Sequence, residues 1–356
     1  VPTAPISGAS EAWAQVPTLR SSNWLCRHTY FEFQWKINVN KTGQNSGHPP
    51  AFTLIGNSSA IETLRAYLPK VARSRVAVLI TGETGTGKEC VAQTIHTLSP
   101  RAAGNFVVVN CAAMPDSLIE SELFGHTRGA FTGAHTHASG KIAHAHGGTL
   151  FLDEIGELSL YAQAKLLRVL ESHQVQALGS NHSERVDIRV LAATNRELEH
   201  EVANKRFRSD LFYRLNVARL ILPPLRERRS DIGVLANHVI AELNLRDGGC
   251  VSGLAPALLA CLQAHDWPGN VRELRNLLES AFIDPPQGVL ELEHLSPAFQ
   301  AMFGQYHLAP QSERAHMISV LEQHHWNKAE AAKTLQCSRM TLYRKLAKYH
   351  LTDKPG

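Results

Sequence analysis

The chain has 356 residues, enough for two or three domains, and its 44% hydrophobic and 19% charged content is that of a soluble globular protein. Its longest apolar runs, such as Val76-Ala77-Val78-Leu79-Ile80, fall far short of the roughly 18 residues a membrane span requires, and no basic stretch followed by an apolar one marks a secretory signal. The net charge of +4 is too mild to diagnose a nucleic-acid partner, and the six cysteines contain no Cys-x-x-Cys pair, which predicts reduced thiols and a cytoplasmic protein without a membrane partner.

Residues 1–51 mix Pro, Ser and Thr with an aromatic patch, Tyr30-Phe31-Glu32-Phe33-Gln34-Trp35, whose alternation allows one strand. Lys41–Pro50 has the composition of a linker. Across 52–225, short apolar runs alternate with amphipathic segments, the pattern of a parallel sheet covered by helices. Strands are expected at Val76–Thr81, Phe106–Asn110, Thr149–Leu152 and Ile188–Ala193. Pro223-Pro224 marks the exit, residues 226–285 read as a small helical domain ended by Pro285-Pro286, and 286–310 read as a linker. Residues 311–356 contain three helical patterns.

The chemistry begins where the first strand runs into Gly82-Glu83-Thr84-Gly85-Thr86-Gly87-Lys88-Glu89. Glycines there let backbone N–H groups turn onto phosphate oxygens, the following helix N-terminus adds a favourable dipole, and Lys88 pairs with β- and γ-phosphates. The general pattern wants Ser or Thr after this lysine to hold magnesium, and Glu89 stands there instead. Gly147–Leu152 is an apolar strand delivering Asp153 and Glu154. Asp153 is placed to hold Mg²⁺ and Glu154 to polarise an attacking water, with a pair of solvated loop acids as the plain alternative. Between these two elements, Gly129-Ala130-Phe131-Thr132-Gly133-Ala134 sets one large apolar side chain among Gly, Ala and Thr. It is either a glycine-rich surface turn or an apolar loop tip pressed on a partner. His126, His135, His137, His144 and His146 crowd the same region and are read as polar loop residues rather than metal ligands. Further on, Asn270 reads as an N-cap with Glu273 as its capping-box partner.

Near the C-terminus, Trp326–Leu335 is a helix with small residues on its packing face, Gln336-Cys337 is a tight break, and Ser338 caps a second helix from Arg339. Leu342 and Leu346 form its buried stripe, leaving Arg339, Thr341, Arg344, Lys345 and Lys348 for outward faces. That basic end is a candidate phosphate-contacting surface, or else a solvated helix face.

Glu120-Ser121-Glu122-Leu123-Phe124-Gly125-His126 running into Gly129–Ala134, together with the phosphate loop, resembles the AAA+ ATPase of bacterial enhancer-binding proteins, the activators of sigma-54 RNA polymerase. The C-terminal helices resemble the Fis-type helix-turn-helix, whose second helix enters the major groove. The resemblance covers 52–285 strongly and 313–351 moderately, and nothing before about 50. It implies an α/β AAA+ P-loop core with a parallel sheet, an α-helical lid and an all-α DNA-binding domain. It further implies ATP and Mg²⁺ as cofactors, enhancer DNA and sigma-54 RNA polymerase as partners, and a homo-oligomer from dimer to hexameric ring. Phe131 and Thr132 would engage the sigma factor, and Gly82–Glu89 in this form is typical of the family. Thr194-Asn195 would act as sensor I, Arg272 as the sensor II arginine, and Asn110 as a restraint on Glu154. Arg208 and Arg214 match the arginine fingers supplied to a neighbouring subunit, against the alternative of internal salt bridges to Asp210 or Glu227. A DNA-binding regulator with a non-remodelling ATPase is the rival reading, and the intact Gly129–Ala134 argues against it. A remodeller of other proteins, with the terminal helices as an adaptor module, is another, and the basic helix argues against that.

Overall fold

The computed structural model describes residues 54–130 and 136–304 and, in the C-terminal region, 317, 318, 320, 321, 324, 326–335, 337–349 and 351. The expected strand at Tyr30–Trp35, the linker that follows it, His135 and Phe131–Ala134 lie outside the described residues.

Five strands build the main sheet: β1 (Val78–Thr81), β2 (Phe106–Asn110), β3 (Thr149–Asp153), β4 (Arg189–Thr194) and β5 (Ala218–Ile221). They lie in the order β2-β3-β4-β1-β5 and every pairing is parallel. The central strands β1, β3 and β4 are buried along their length, which is why they read as continuous apolar runs. Alternate side chains feed two cores: Leu79, Leu150, Leu152, Val190 and Ala192 on one face, and Val78, Ile80, Phe151, Leu191 and Ala193 on the other. The sheet starts at Val78 rather than Val76, which is exposed. Strand β5 was not legible in the sequence, because an edge strand alternating Arg219 and Ile221 outward with Leu220 inward carries little signal.

At the opposite end from the phosphate loop, the buried Arg189 donates to the carbonyls of Val71 and Ala72, both at 2.7 Å. These are last-turn carbonyls of the helix Ser59–Arg73, so the guanidinium caps a helix terminus and is stabilised there by the helix dipole.

The lid gathers the helices Ile232–Asp247, Pro256–Ala264 and Asn270–Ala281 around the fully buried Trp267. It does not stop at Pro285-Pro286. Gly288–Leu290 pairs in parallel with Val251–Leu254, and Leu290, Leu295 and Phe303 are buried in the lid core. The expected linker from 286 is therefore lid structure as far as Gly304. Its core contacts are single apolar residues spaced too irregularly to show a period.

In the C-terminal region, helices Lys328–Thr334 and Arg339–Lys348 share an apolar cluster made by Ala331, Ala332, Leu342 and Leu346. Among the described residues, no helix is long and apolar enough to cross a membrane.

Candidate functional site

The C-terminal ends of β1, β3 and β4 converge on the glycine-rich loop. Lys88 opens the helix Lys88–Thr97 and is only 6% exposed. Its Nζ donates to the carbonyl of Gly82 at 3.0 Å and lies 3.3 Å from Glu154 Oε1. Glu154 Oε2 accepts from the Asn195 N–H at 3.0 Å, so one carboxylate bridges the phosphate-loop lysine and the tip of β4. Glu154 holds φ 52°, the left-handed region that a non-glycine residue adopts only when its surroundings enforce it. Asn195 also donates through Nδ2 to Thr84 Oγ1 at 3.1 Å, while Thr194 is buried and its hydroxyl accepts from Arg196 N–H. Asp153 sits beside them at the end of β3. Burial and the neighbouring Glu154 charge raise its pKa, and Lys88 partly opposes them. A carboxylate so placed is relieved by a cation. Glu89 is exposed in the first turn of its helix.

The lid closes over the same loop. A Cβ on Gly85, which holds φ +80°, would fall 2.3 Å from the carbonyl of Gly269, so the approach demands glycine. The expected N-cap role of Asn270 is corrected here. Gly269 occupies the N-cap position, and Glu273 Oε2 reaches back to its N–H at 2.8 Å, which keeps half of the capping box. Asn270 holds φ 53° and its buried amide is turned to the core instead. Its Oδ1 accepts from Leu225 N–H at 2.7 Å, and its Nδ2 donates to Glu83 Oε2 at 3.1 Å and to the Thr84 carbonyl at 3.0 Å. Glu83 is also gripped by both terminal nitrogens of Arg226. Arg226 and then Asn270, as hydrogen-bond donors, hold its carboxyl below the usual carboxylate range. Arg272 is exposed in the first turn of the lid helix, with its Cβ close against Gly85.

Not every expected residue joins this cluster. Asn110 pairs in register with Asp153 across β2 and β3, yet its Oδ1 accepts from Ala112 N–H at 2.9 Å, and Glu154 is held by Lys88 and Asn195. Arg208 is exposed and forms a two-pronged pair with Asp210, with one N···O distance of 2.7 Å, which is the internal salt bridge anticipated as its alternative. The exposed Arg214 donates to the Leu170 carbonyl at 3.0 Å.

These motifs match known families in chain order. Residues 54–221 match the Sigma-54 interaction domain, 226–311 the AAA+ ATPase lid domain and 309–349 the Fis family of bacterial regulatory proteins. The nitrogen fixation protein VnfA of Azotobacter vinelandii is 44% identical over 310 residues, which cover 85% of this chain and 59% of that protein. Regulatory protein AtoC of Escherichia coli K12 is also 44% identical, with 83% of this chain and 67% of that protein covered. The chain belongs to the family of sigma-54-dependent AAA+ regulators. The crystal structure of NtrX from Brucella abortus in complex with ATP resembles it with a TM-score of 0.64 at 30% identity, covering 92% of this chain and 74% of that one. This chain thus spans about three fifths of VnfA and three quarters of the NtrX chain.

In this sigma-54 regulator, the stem of the Gly129–Ala134 loop is an antiparallel pair, Gly125-His126 with Ala138-Ser139. The neighbouring hairpin, Gln174–Gln176 with Ser183–Arg185, props it: Thr127 N–H donates to the Leu178 carbonyl at 3.0 Å, and Gly179 approaches Ala130. Of the crowded histidines, Nδ1 of His126 lies 2.7 Å from Ser121 Oγ, Nδ1 of His146 accepts from Asp187 N–H, and His137 and His144 are exposed. Among the described residues, no three His, Cys, Asp or Glu side chains gather as a metal site.

In the Fis-family region, Ser338 Oγ accepts from Thr341 N–H at 3.1 Å and caps the helix Arg339–Lys348. Arg339, Arg344 and Lys348 are exposed, and Thr341 and Lys345 are half-buried. Met340 and Tyr343 are exposed on the same helix. Charge does not single out either of them, and Lys328 Nζ lies 5.5 Å from the centre of the Tyr343 ring.

Cys111 lies directly behind the acids, its N–H donating to the Asp153 carbonyl at 2.9 Å. Burial, and then the charges of Asp153 and Glu154, push its thiol up to about 12. Iodoacetamide at pH 8 is expected to leave Cys111 unlabelled in the native protein and to label it in the denatured chain, read by peptide mass spectrometry. Labelling in the native protein would show that the end of β3 opens readily.

Proposed function

We propose that this protein activates transcription by hydrolysing ATP in a ring of subunits and using the cycle to drive the Phe131 loop against sigma-54 RNA polymerase bound at a promoter. The observation that carries the reading is the Glu154 carboxylate spanning Lys88 and the Asn195 N–H at the mouth of the phosphate loop. With ATP in that loop, Lys88 offsets charge on the phosphates and the N–H groups of Gly85–Lys88 face their oxygens. Glu154 accepts a proton from the water attacking the γ-phosphorus, and the bond to the ADP oxygen breaks. Asp153 would hold Mg²⁺, which supplies electrostatic stabilisation of the phosphates. Asn195, linked to both Glu154 and Thr84, is placed to sense whether a γ-phosphate separates them.

Arg208 and Arg214 are read as fingers for the neighbouring subunit. Support comes from their exposed position and from the apolar Tyr213, 74% exposed, with Val217 and Ile221 exposed nearby. A surface of that kind is covered by self-association more readily than left in water. Arg208 would leave Asp210 on assembly, a small cost because both partners are well exposed. Arg339, Arg344, Lys345 and Lys348 position the C-terminal helix on enhancer DNA, with Ser338 and Thr341 at its entering end.

The test is ATP-dependent open-complex formation on a sigma-54 promoter. Thr132→Ala is expected to keep most of the ATPase rate and to lose activation. Normal activation by that variant would remove the loop from the mechanism.

A further inference from the structure

The phosphate loop is held from outside itself. Its successive carbonyls at Thr84, Gly85 and Thr86 accept hydrogen bonds from Asn270 Nδ2 at 3.0 Å, Val271 N–H at 3.0 Å and Arg228 Nη2 at 2.9 Å. Arg228 is buried, and Leu225 N–H fixes the Asn270 amide by donating to its Oδ1. In a trans peptide the carbonyl of one residue and the N–H of the next point in opposite directions. Donors pulling the carbonyls of Thr84 and Thr86 toward the lid therefore turn the N–H groups of Gly85 and Gly87 away from it. On the phosphate-site reading, that is the side on which phosphate oxygens would lie. Glu83 adds a second tie, because its carboxylate is shared between Arg226 and Asn270.

We propose that Asn270, Arg226 and Arg228 are positioning residues that set the peptide planes of the phosphate loop from the lid side, so that removing their contacts weakens phosphate binding. The proposal rests on Gly82–Lys88 being the phosphate site. Their side chains meet loop carbonyls and the Glu83 carboxylate, so they act through the loop rather than on its ligand.

The full chain with ADP, Mg²⁺ and a fluorescent ADP analogue tests this. Asn270→Asp keeps the acceptor for Leu225 N–H but turns a carboxylate toward Glu83 and the Thr84 carbonyl. Its ADP affinity is expected to fall about 10- to 100-fold. Adding Glu83→Gln removes the facing charge and should recover a substantial part of that loss, which a general lid defect would not do. Wild-type affinity in a folded Asn270→Asp protein, or no recovery in the double variant, overturns the proposal. Should Asn270→Asp not fold, Arg226→Ala and Glu83→Ala supply the cycle. Each is expected to weaken ADP binding about 2- to 5-fold. A combined loss smaller than the product supports the tie, and a loss equal to the product overturns it. Lys88→Ala separates the two layers: if it binds ADP like wild type, the phosphate-site reading has failed rather than the positioning role.

Discussion

Glu154→Gln is expected to bind ATP within a few-fold of wild type and to hydrolyse it about 10²- to 10⁴-fold more slowly. The amide is the same size, and its oxygen can still accept from Asn195 N–H, so the turn at φ 52° and the tip of β4 keep their contact. What the substitution removes is the proton acceptor and the ion pair with Lys88, 3.3 Å away. Binding survives because Lys88 keeps its bond to the Gly82 carbonyl and stays available to phosphate oxygens. Phosphate release over time and ADP-analogue displacement by ATP measure the two parts. Wild-type turnover would take Glu154 out of the chemistry and leave it as a backbone clasp.

Trp267→Ala should destabilise the lid by about 3–5 kcal/mol. The side chain is fully buried, its Nε1 donates to the Leu262 carbonyl at 2.7 Å, and His265 meets its ring edge-on at 4.9 Å. Truncation leaves a cavity between three helices and an unpaired buried carbonyl, and alanine at φ 52° offers no contact to offset the strained backbone. Three residues further along the chain, the lid helix begins and brings Asn270 and the Arg272 Cβ against the phosphate loop. Loss of the lid core should therefore weaken nucleotide binding as well. Denaturant titration followed by far-UV circular dichroism, with limited proteolysis of 226–304, reads the first effect and ADP binding the second. A midpoint unchanged from wild type would show that the lid core does not depend on Trp267.

Much of the nucleotide site is legible in the chain because its chemistry is local. A buried strand running into Gly82–Glu89 is legible as a candidate phosphate loop, and an apolar run ending in Asp153-Glu154 delivers two acids to one end of the sheet. Ser338 capping its helix, with Leu342 and Leu346 inward, follows from the same short-range rules. Asn270 shows where such rules stop. Its neighbours satisfy a capping-box pattern, and Glu273 does reach back, but to Gly269, while the Asn270 side chain answers donors and acceptors 45 and more residues away.

Glu83 and Asp231 make the same point. In the sequence Glu83 reads only as a member of the phosphate loop, yet Arg226 and Asn270 hold its carboxylate from across the lid boundary. Asp231 is buried and accepts from the N–H groups of Asn57 and Ser58 and from the Ser58 hydroxyl, a clasp between segments 173 residues apart. Polar side chains of this kind carry no periodicity, and burial makes them indispensable only once the partner segment has arrived. Local sequence is enough to mark the strands that must be buried, the glycine-rich loop after β1 and the acids at the end of β3. Only the packed structure shows which residues hold that loop from the lid, that Asn195 rather than Asn110 holds Glu154, and that the lid continues to Gly304. Short-range steric and solvation preferences act along the chain, whereas hydrogen bonds between distant polar groups exist only after the apolar cores have brought them together.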